Sequence, residues 1–147
     1  MVGIELRTTL SPETSSAAEA RRFVRSALTD WGASNLGEVA ALLVTELVTN
    51  AVLHTRSGPE VTARLAGDRL RVEVADDNPT PPVRQRYGPR AGTGRGLILV
   101  NELASAWGTE PSRGGKIVWF ELEARSPEGP AEPDLRHQLA PAGRVSR

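Results

Sequence analysis

Ile4, Leu6, Thr8 and Leu10 occupy alternate positions of the opening segment, and a period of two predicts a strand with one buried side, lying at a sheet edge. Ser11-Pro12 follows, a serine cap with proline near the first helical position, and predicts a helix start. Ala17, Ala20, Phe23, Val24, Ala27, Leu28 and Trp31 then recur at helical spacing until Gly32 closes the helix. A second start is predicted at Asn35, where Glu38 three residues on completes a capping-box pattern. From there Leu36, Val39, Ala40, Leu43, Leu47 and Ala51 carry one apolar stripe to about His54.

After Gly58-Pro59 the period returns to two, with Val61, Ala63 and Leu65 and then Leu70, Val72 and Val74 on either side of Gly67-Asp68. That pattern predicts a hairpin. Asn78 to Gly94 holds four prolines and three glycines, too many breakers for a regular element and long enough for a functional loop. Helical spacing resumes at Leu97, Val100, Leu103 and Ala104, and strands follow from about Ala106. The last strand, Lys116 to Glu123, alternates Ile117 and Trp119 with Val118, Phe120 and Leu122, so it is expected to be covered on both faces. The order predicts an α/β (α+β) two-layer sandwich, a mixed, mostly antiparallel sheet covered on one face by helices. One domain over residues 1–124 is expected, with the Pro-rich residues 125–147 a disordered tail.

Composition narrows the function classes. In 147 residues, 18 basic and 18 acidic side chains cancel, which gives no overall pull toward nucleic acid or anionic lipid. There is no cysteine, hence no disulfide framework, thiolate nucleophile or Cys-bearing metal site. His54 and His137 are a poor basis for a histidine metal centre. The longest uninterrupted apolar run, Val39 to Val44, is far short of the roughly 20 residues that span a bilayer. A soluble cytoplasmic protein with no direct nucleic-acid or membrane partner is expected. Of the 18 basic residues, Lys116 is the one lysine.

Three segments carry candidate chemistry. Glu46, Asn50 and His54 lie at i, i+4 and i+8 of the second predicted helix, so they form one ridge. A carboxylate and a carboxamide one turn apart suit a site where one activates a hydroxyl and the other gives an oxygen to a hard cation such as Mg²⁺. Glu38, Thr45 and Thr49 widen the polar arc, and an ordinary solvated face would read the same way. Asp76 ends an alternating strand before Asp77-Asn78-Pro79. It suits a contact to an exocyclic amine such as that of adenine, or simply starts a turn before proline. Gly92-Thr93-Gly94-Arg95-Gly96-Leu97 sets alternating glycines before a helix, where backbone N–H groups and the helix dipole can hold phosphate, or where a flexible loop merely ends.

In chain order these segments resemble the GHKL ATPases, the family of gyrase, heat-shock chaperones, histidine kinases and mismatch-repair proteins. Glu46-Leu47-Val48-Thr49-Asn50-Ala51-Val52-Leu53-His54 resembles the family's N-box, most closely the version in bacterial anti-sigma-factor serine/threonine kinases. Asp76 stands where the first glycine box begins, and Gly92 to Gly96 resembles the second. The resemblance implies ATP and Mg²⁺ as cofactors, with Asn50 the metal ligand and Glu46 the catalytic base on the acceptor hydroxyl. It implies that Asp76 holds the adenine amino group with Asn78 beside it. Thr93, Gly94, Arg95, Gly96 and Leu97 would close over the phosphates, and the loop from Asn78 to Gly92 would be the ATP lid. It also implies a sigma factor or anti-anti-sigma protein as partner, and a homodimer. Where the family has Asp-x-Gly-x-Gly, this chain reads Asp76-Asp77-Asn78-Pro79-Thr80, so both glycines are replaced.

Overall fold

The computed structural model of the chain describes residues 3–54, 57–79 and 93–123, without the side chains of residues 54 and 93–97. The predicted hairpin forms as β2 (Glu60–Ala66) and β3 (Arg69–Asp76). Gly67 in its turn has φ +67°, a left-handed conformation that a Cβ resists. β1 (Ile4–Thr9) pairs with β2, and a second hairpin of β4 (Ala106–Ser112) and β5 (Gly115–Glu123) joins β3 through β5. The resulting order is β1-β2-β3-β5-β4.

Every ladder is antiparallel, although a mixed sheet is what the element order suggests. Between β1 and β2 the chain leaves and returns through two helices, α1 (Ser16–Asp30) and α2 (Gly37–His54), so it re-enters the sheet at the end it left. Among the described residues one helix, α3 (Thr93–Leu103), lies between β3 and β4, and β4 starts at the opposite end of the sheet. β4 therefore runs parallel to β3, but β5 lies between them.

The helices cover one face, where Val61, Leu70, Val72, Val74 and Phe120 meet Val24, Leu28, Leu43, Val44 and Val48, all fully buried. Each such side chain contributes about 1.5–3 kcal/mol of transfer free energy. Residues 34–53 are long and apolar enough, by length and composition, to cross a bilayer, yet half of that window is buried inside this domain. α2 packs against α1, α3 and β3, which is the setting of a core helix.

Three local expectations are corrected. Ser11 does not cap α1, which begins at Ser16. Leu10 is buried and its N–H donates to the Pro59 carbonyl at 2.9 Å, and the Ser16 hydroxyl donates to the Ser11 carbonyl. The chain is thus pinned at the corner and turns through residues 12–15 before it can coil. Asn35 lies inside a short 3-10 turn, Ser34–Leu36, that feeds α2 directly, so it is not the cap of that helix. Ile4 and Leu6 are 47% and 44% exposed, because the helices pack over β2 and β3 and stop short of the edge strand. By contrast Gly32 ends α1 as expected, with φ +75° and an Ala33 N–H to Leu28 carbonyl bond of 2.8 Å.

The outer face of the sheet carries ion pairs rather than a second layer. Arg71 bonds Glu73, Glu121 and Glu110 at 2.8, 3.0 and 3.3 Å, and its guanidinium lies 4.1 Å from the centroid of the Trp119 ring. Partial burial works against the Arg71 charge, and the hydrogen bonds to Glu73 and Glu121 outweigh it, holding its pKa above the usual arginine value. Trp119 is half-covered in this way, which gives β5 its second, polar cover.

Candidate functional site

Topology gathers the candidate residues at one end of the sheet. α2 ends at His54 and the chain enters β2 at Glu60, which is the register partner of Ala75 near the end of β3. The Ser57 hydroxyl, in the connection, reaches the Asp77 carboxylate at 2.6 Å. α3 finishes at the far end, where the Ser105 N–H bonds the Glu121 carbonyl at 2.8 Å. Eleven residues of α3 span about 16 Å, and the helix packs against α2. The chain leaving α2 and the end of β3 meet at one end of the sheet.

Asp76 continues the buried side of β3. Leu70, Val72 and Val74 face the helices, and the same parity turns Asp76 inward, where its side chain is 2% exposed. Its register partner across the β3–β5 ladder is Lys116, which shares parity with Val118, Phe120 and Leu122 and is itself buried. The Lys116 ammonium donates to Asp76 Oδ1 at 3.1 Å and to the Asn78 carbonyl at 2.9 Å. The Asn78 N–H also donates to Asp76 Oδ1, at 2.8 Å. The turn-forming reading of Asp76-Asp77-Asn78 is thus real, and it uses one carboxylate oxygen. Oδ2 accepts a hydrogen bond from none of the described residues.

Glu46 and Asn50 are half-buried on α2, about 6 Å apart along the axis. Asn50 Oδ1 is buried and has no hydrogen-bond partner among the described residues. A buried amide oxygen left unpaired costs free energy, and a hard cation is the ligand that an amide oxygen suits. Among the described residues no cluster of three or more His, Cys, Asp or Glu could hold a metal by itself.

The glycine segment differs from expectation. Thr93 already begins α3, so Gly94 and Gly96 lie in its first turns rather than in a loop ahead of it. The first four N–H groups of a helix have no intrahelical acceptor, and glycine there leaves them sterically bare. The side chains of Thr93, Arg95 and Leu97, the loop over residues 80–92 and the tail over residues 124–147 lie outside the described residues.

A family model described as the histidine kinase-like ATPase domain matches residues 10–122. The chain belongs to this family. No curated protein matches it. The resemblance carried by the N-box, Asp76 and the glycine segment is correct at the family level, and the antiparallel sheet with helices on one face agrees with it. A histidine kinase-like ATPase domain implies ATP binding, and the unpaired Asn50 oxygen is of the kind that suits a hard cation. Two residues at this end of the domain escape the sequence reading. Lys116 had a signal, as the one lysine in the chain placed on the inward parity of the last strand. Gly115, directly before it, approaches the backbone of Asp76 and Asp77 so closely that no Cβ fits.

Proposed function

We propose that this histidine kinase-like ATPase domain is an anti-sigma-factor-type regulator. In this reading it transfers the γ-phosphoryl group of ATP to a serine or threonine of an antagonist protein in the cytoplasm. The observation that carries the reading is the α2 ridge, in which Glu46 stands one turn before the buried, unpaired oxygen of Asn50. Asn50 would hold Mg²⁺, which supplies neutralisation of phosphate charge when bound. Asp76 offers Oδ2 to the base. Glu46 takes the proton of the acceptor hydroxyl as its oxygen bonds the γ-phosphorus, and the bond to the β–γ bridging oxygen breaks to release ADP.

Two measurements test this. Calorimetric titration of ATP with Mg²⁺ into the wild type should give binding, and Asn50→Ala should weaken it at least tenfold. Equal affinity in the variant removes Asn50 from the metal site. Incubation with γ-labelled ATP and extract of the source cells should place label on protein in acid-stable form, as phosphoserine and phosphothreonine are. Label in acid-labile form, or released only as inorganic phosphate, overturns the Ser/Thr kinase assignment.

A second reading has its own support in Asn78, Pro79 and Thr80, which replace the family's glycines. A nucleotide-gated binding module would let ATP change partner affinity without transfer, and it requires ATP to favour one of two states. Partner affinity that shifts with ATP in the absence of labelled product would select it.

We also propose that the working form is a homodimer built on β1. The strand is an edge of the sheet among the described residues, and Ile4 and Leu6 on it are exposed. An antiparallel copy centred on Leu6 would place Glu5 of one chain opposite Arg7 of the other, a favourable cross-strand pair. Sedimentation velocity should find a dimer for the wild type and a monomer for Leu6→Glu. A variant that sediments as the wild type does refutes the β1 interface.

A further inference from the structure

We propose that Lys116 is a positioning residue for base recognition, a buried ammonium that fixes the Asp76 carboxylate so that one of its oxygens reads the exocyclic amine of a purine. The inference rests on the nucleotide-binding reading above and adds to it a residue outside the N-box and both glycine segments.

The geometry is specific. An ionised carboxylate has two oxygens and about four acceptor sites. At Asp76, Oδ1 receives both the Asn78 N–H at 2.8 Å and the Lys116 ammonium at 3.1 Å, whereas Oδ2 receives nothing from the described residues. Two donors on one oxygen stop rotation of the group and leave the other oxygen as its open acceptor. The same ammonium donates to the Asn78 carbonyl at 2.9 Å, so it also ties the residue after the turn to the carboxylate. Lysine is almost never buried unless paired, and a compact point charge with three donors suits a pocket where two acceptors converge.

Residue choice argues the same way. In every other ion pair among the described residues the cation is arginine, and those cations lie 21% to 55% exposed. The Lys116 side chain is 8% exposed and its Asp76 partner 2%. A pair of that depth is a poor source of net stability, because desolvation of both ions offsets their attraction. Holding a carboxylate in one orientation for a ligand is a role that depth serves. A negative acceptor distinguishes an amino purine from one with no group at that carbon, and a hydrogen bond to a charged group is the stronger kind.

The test compares binding of ATP and of purine riboside triphosphate, which lacks the amine, each with Mg²⁺, by calorimetry. The wild type should prefer ATP by roughly tenfold or more. Lys116→Met should bring that ratio close to one while leaving the affinity for purine riboside triphosphate near the wild-type value. A merely structural role would weaken both nucleotides alike, and that result, or an unchanged ratio, overturns the proposal and leaves nucleotide binding standing. Equal affinities in the wild type also overturn it. Binding of neither nucleotide by the wild type refutes the nucleotide reading itself. If Lys116→Met does not fold, Asp76→Asn is compared with the D76N/K116M double variant, which removes both charges together. With no carboxylate to hold, the methionine should leave the ratio unchanged, and a shift between these two proteins overturns the proposal.

Discussion

Glu46→Gln is expected to bind ATP and Mg²⁺ as the wild type does and to transfer the γ-phosphoryl group about 10²–10⁴-fold more slowly. Glutamine keeps the length of the side chain and its hydrogen-bonding oxygen, so the half-buried position on α2 is filled as before. It cannot accept a proton. In phosphoryl transfer most of the acceleration comes from positioning and charge neutralisation, and in the proposed function those fall to Asn50 and the α3 N-terminus rather than to Glu46. The two ends of the ridge should therefore separate: Asn50→Ala acts on affinity, and Glu46→Gln acts on the single-turnover rate at saturating ATP. Transfer by Glu46→Gln at the wild-type rate would remove Glu46 as the base, whatever its effect on binding.

Periodicity fixes which side of an element is apolar, and where a partner layer lies over that side the inference to burial holds. The hairpin about Gly67-Asp68, the stripe on α2 and the inward parity of β5 are of this kind. β1 shows the limit. Its alternation is as regular as that of β2, but how far the helix layer reaches is a tertiary fact, and Ile4 and Leu6 lie beyond it. The helix starts at Ser11 and Asn35 fail for a related reason. Side chains that can cap a helix can equally serve a turn, and the anchoring of Leu10 and the burial of Leu36 decide between them. At the site, Glu46, Asn50 and Asp76 are legible because polar groups interrupt or end an apolar pattern. Lys116 is legible only after pairing is known, since its meaning comes from the register that sets it opposite Asp76.

Register also explains why Gly115→Ala should damage the Asp76 end of the sheet. A Cβ at Gly115 would overlap the Asp76 carbonyl oxygen and lie 2.8 Å from Asp77 Cα and 2.9 Å from Asp76 C, all backbone atoms that no rotamer change can move. β5 must then draw away from β3 at the rung next to Asp76–Lys116. Overpacking of this kind destabilises by about 1–3 kcal/mol, and in a domain of this size each kcal/mol lowers Tm by about 4 °C. The neighbouring Gly114 is the control. It has φ +75° but open space around it, so Gly114→Ala costs about 1–2 kcal/mol of backbone strain without displacing Asp76. Stability alone therefore does not separate the two variants, and nucleotide affinity does. Gly115→Ala should weaken ATP binding at least tenfold under conditions where it is fully folded, whereas Gly114→Ala should bind as the wild type does. Equal affinities in the two variants would mean that the close approach of β5 to Asp76 serves the sheet and not the nucleotide.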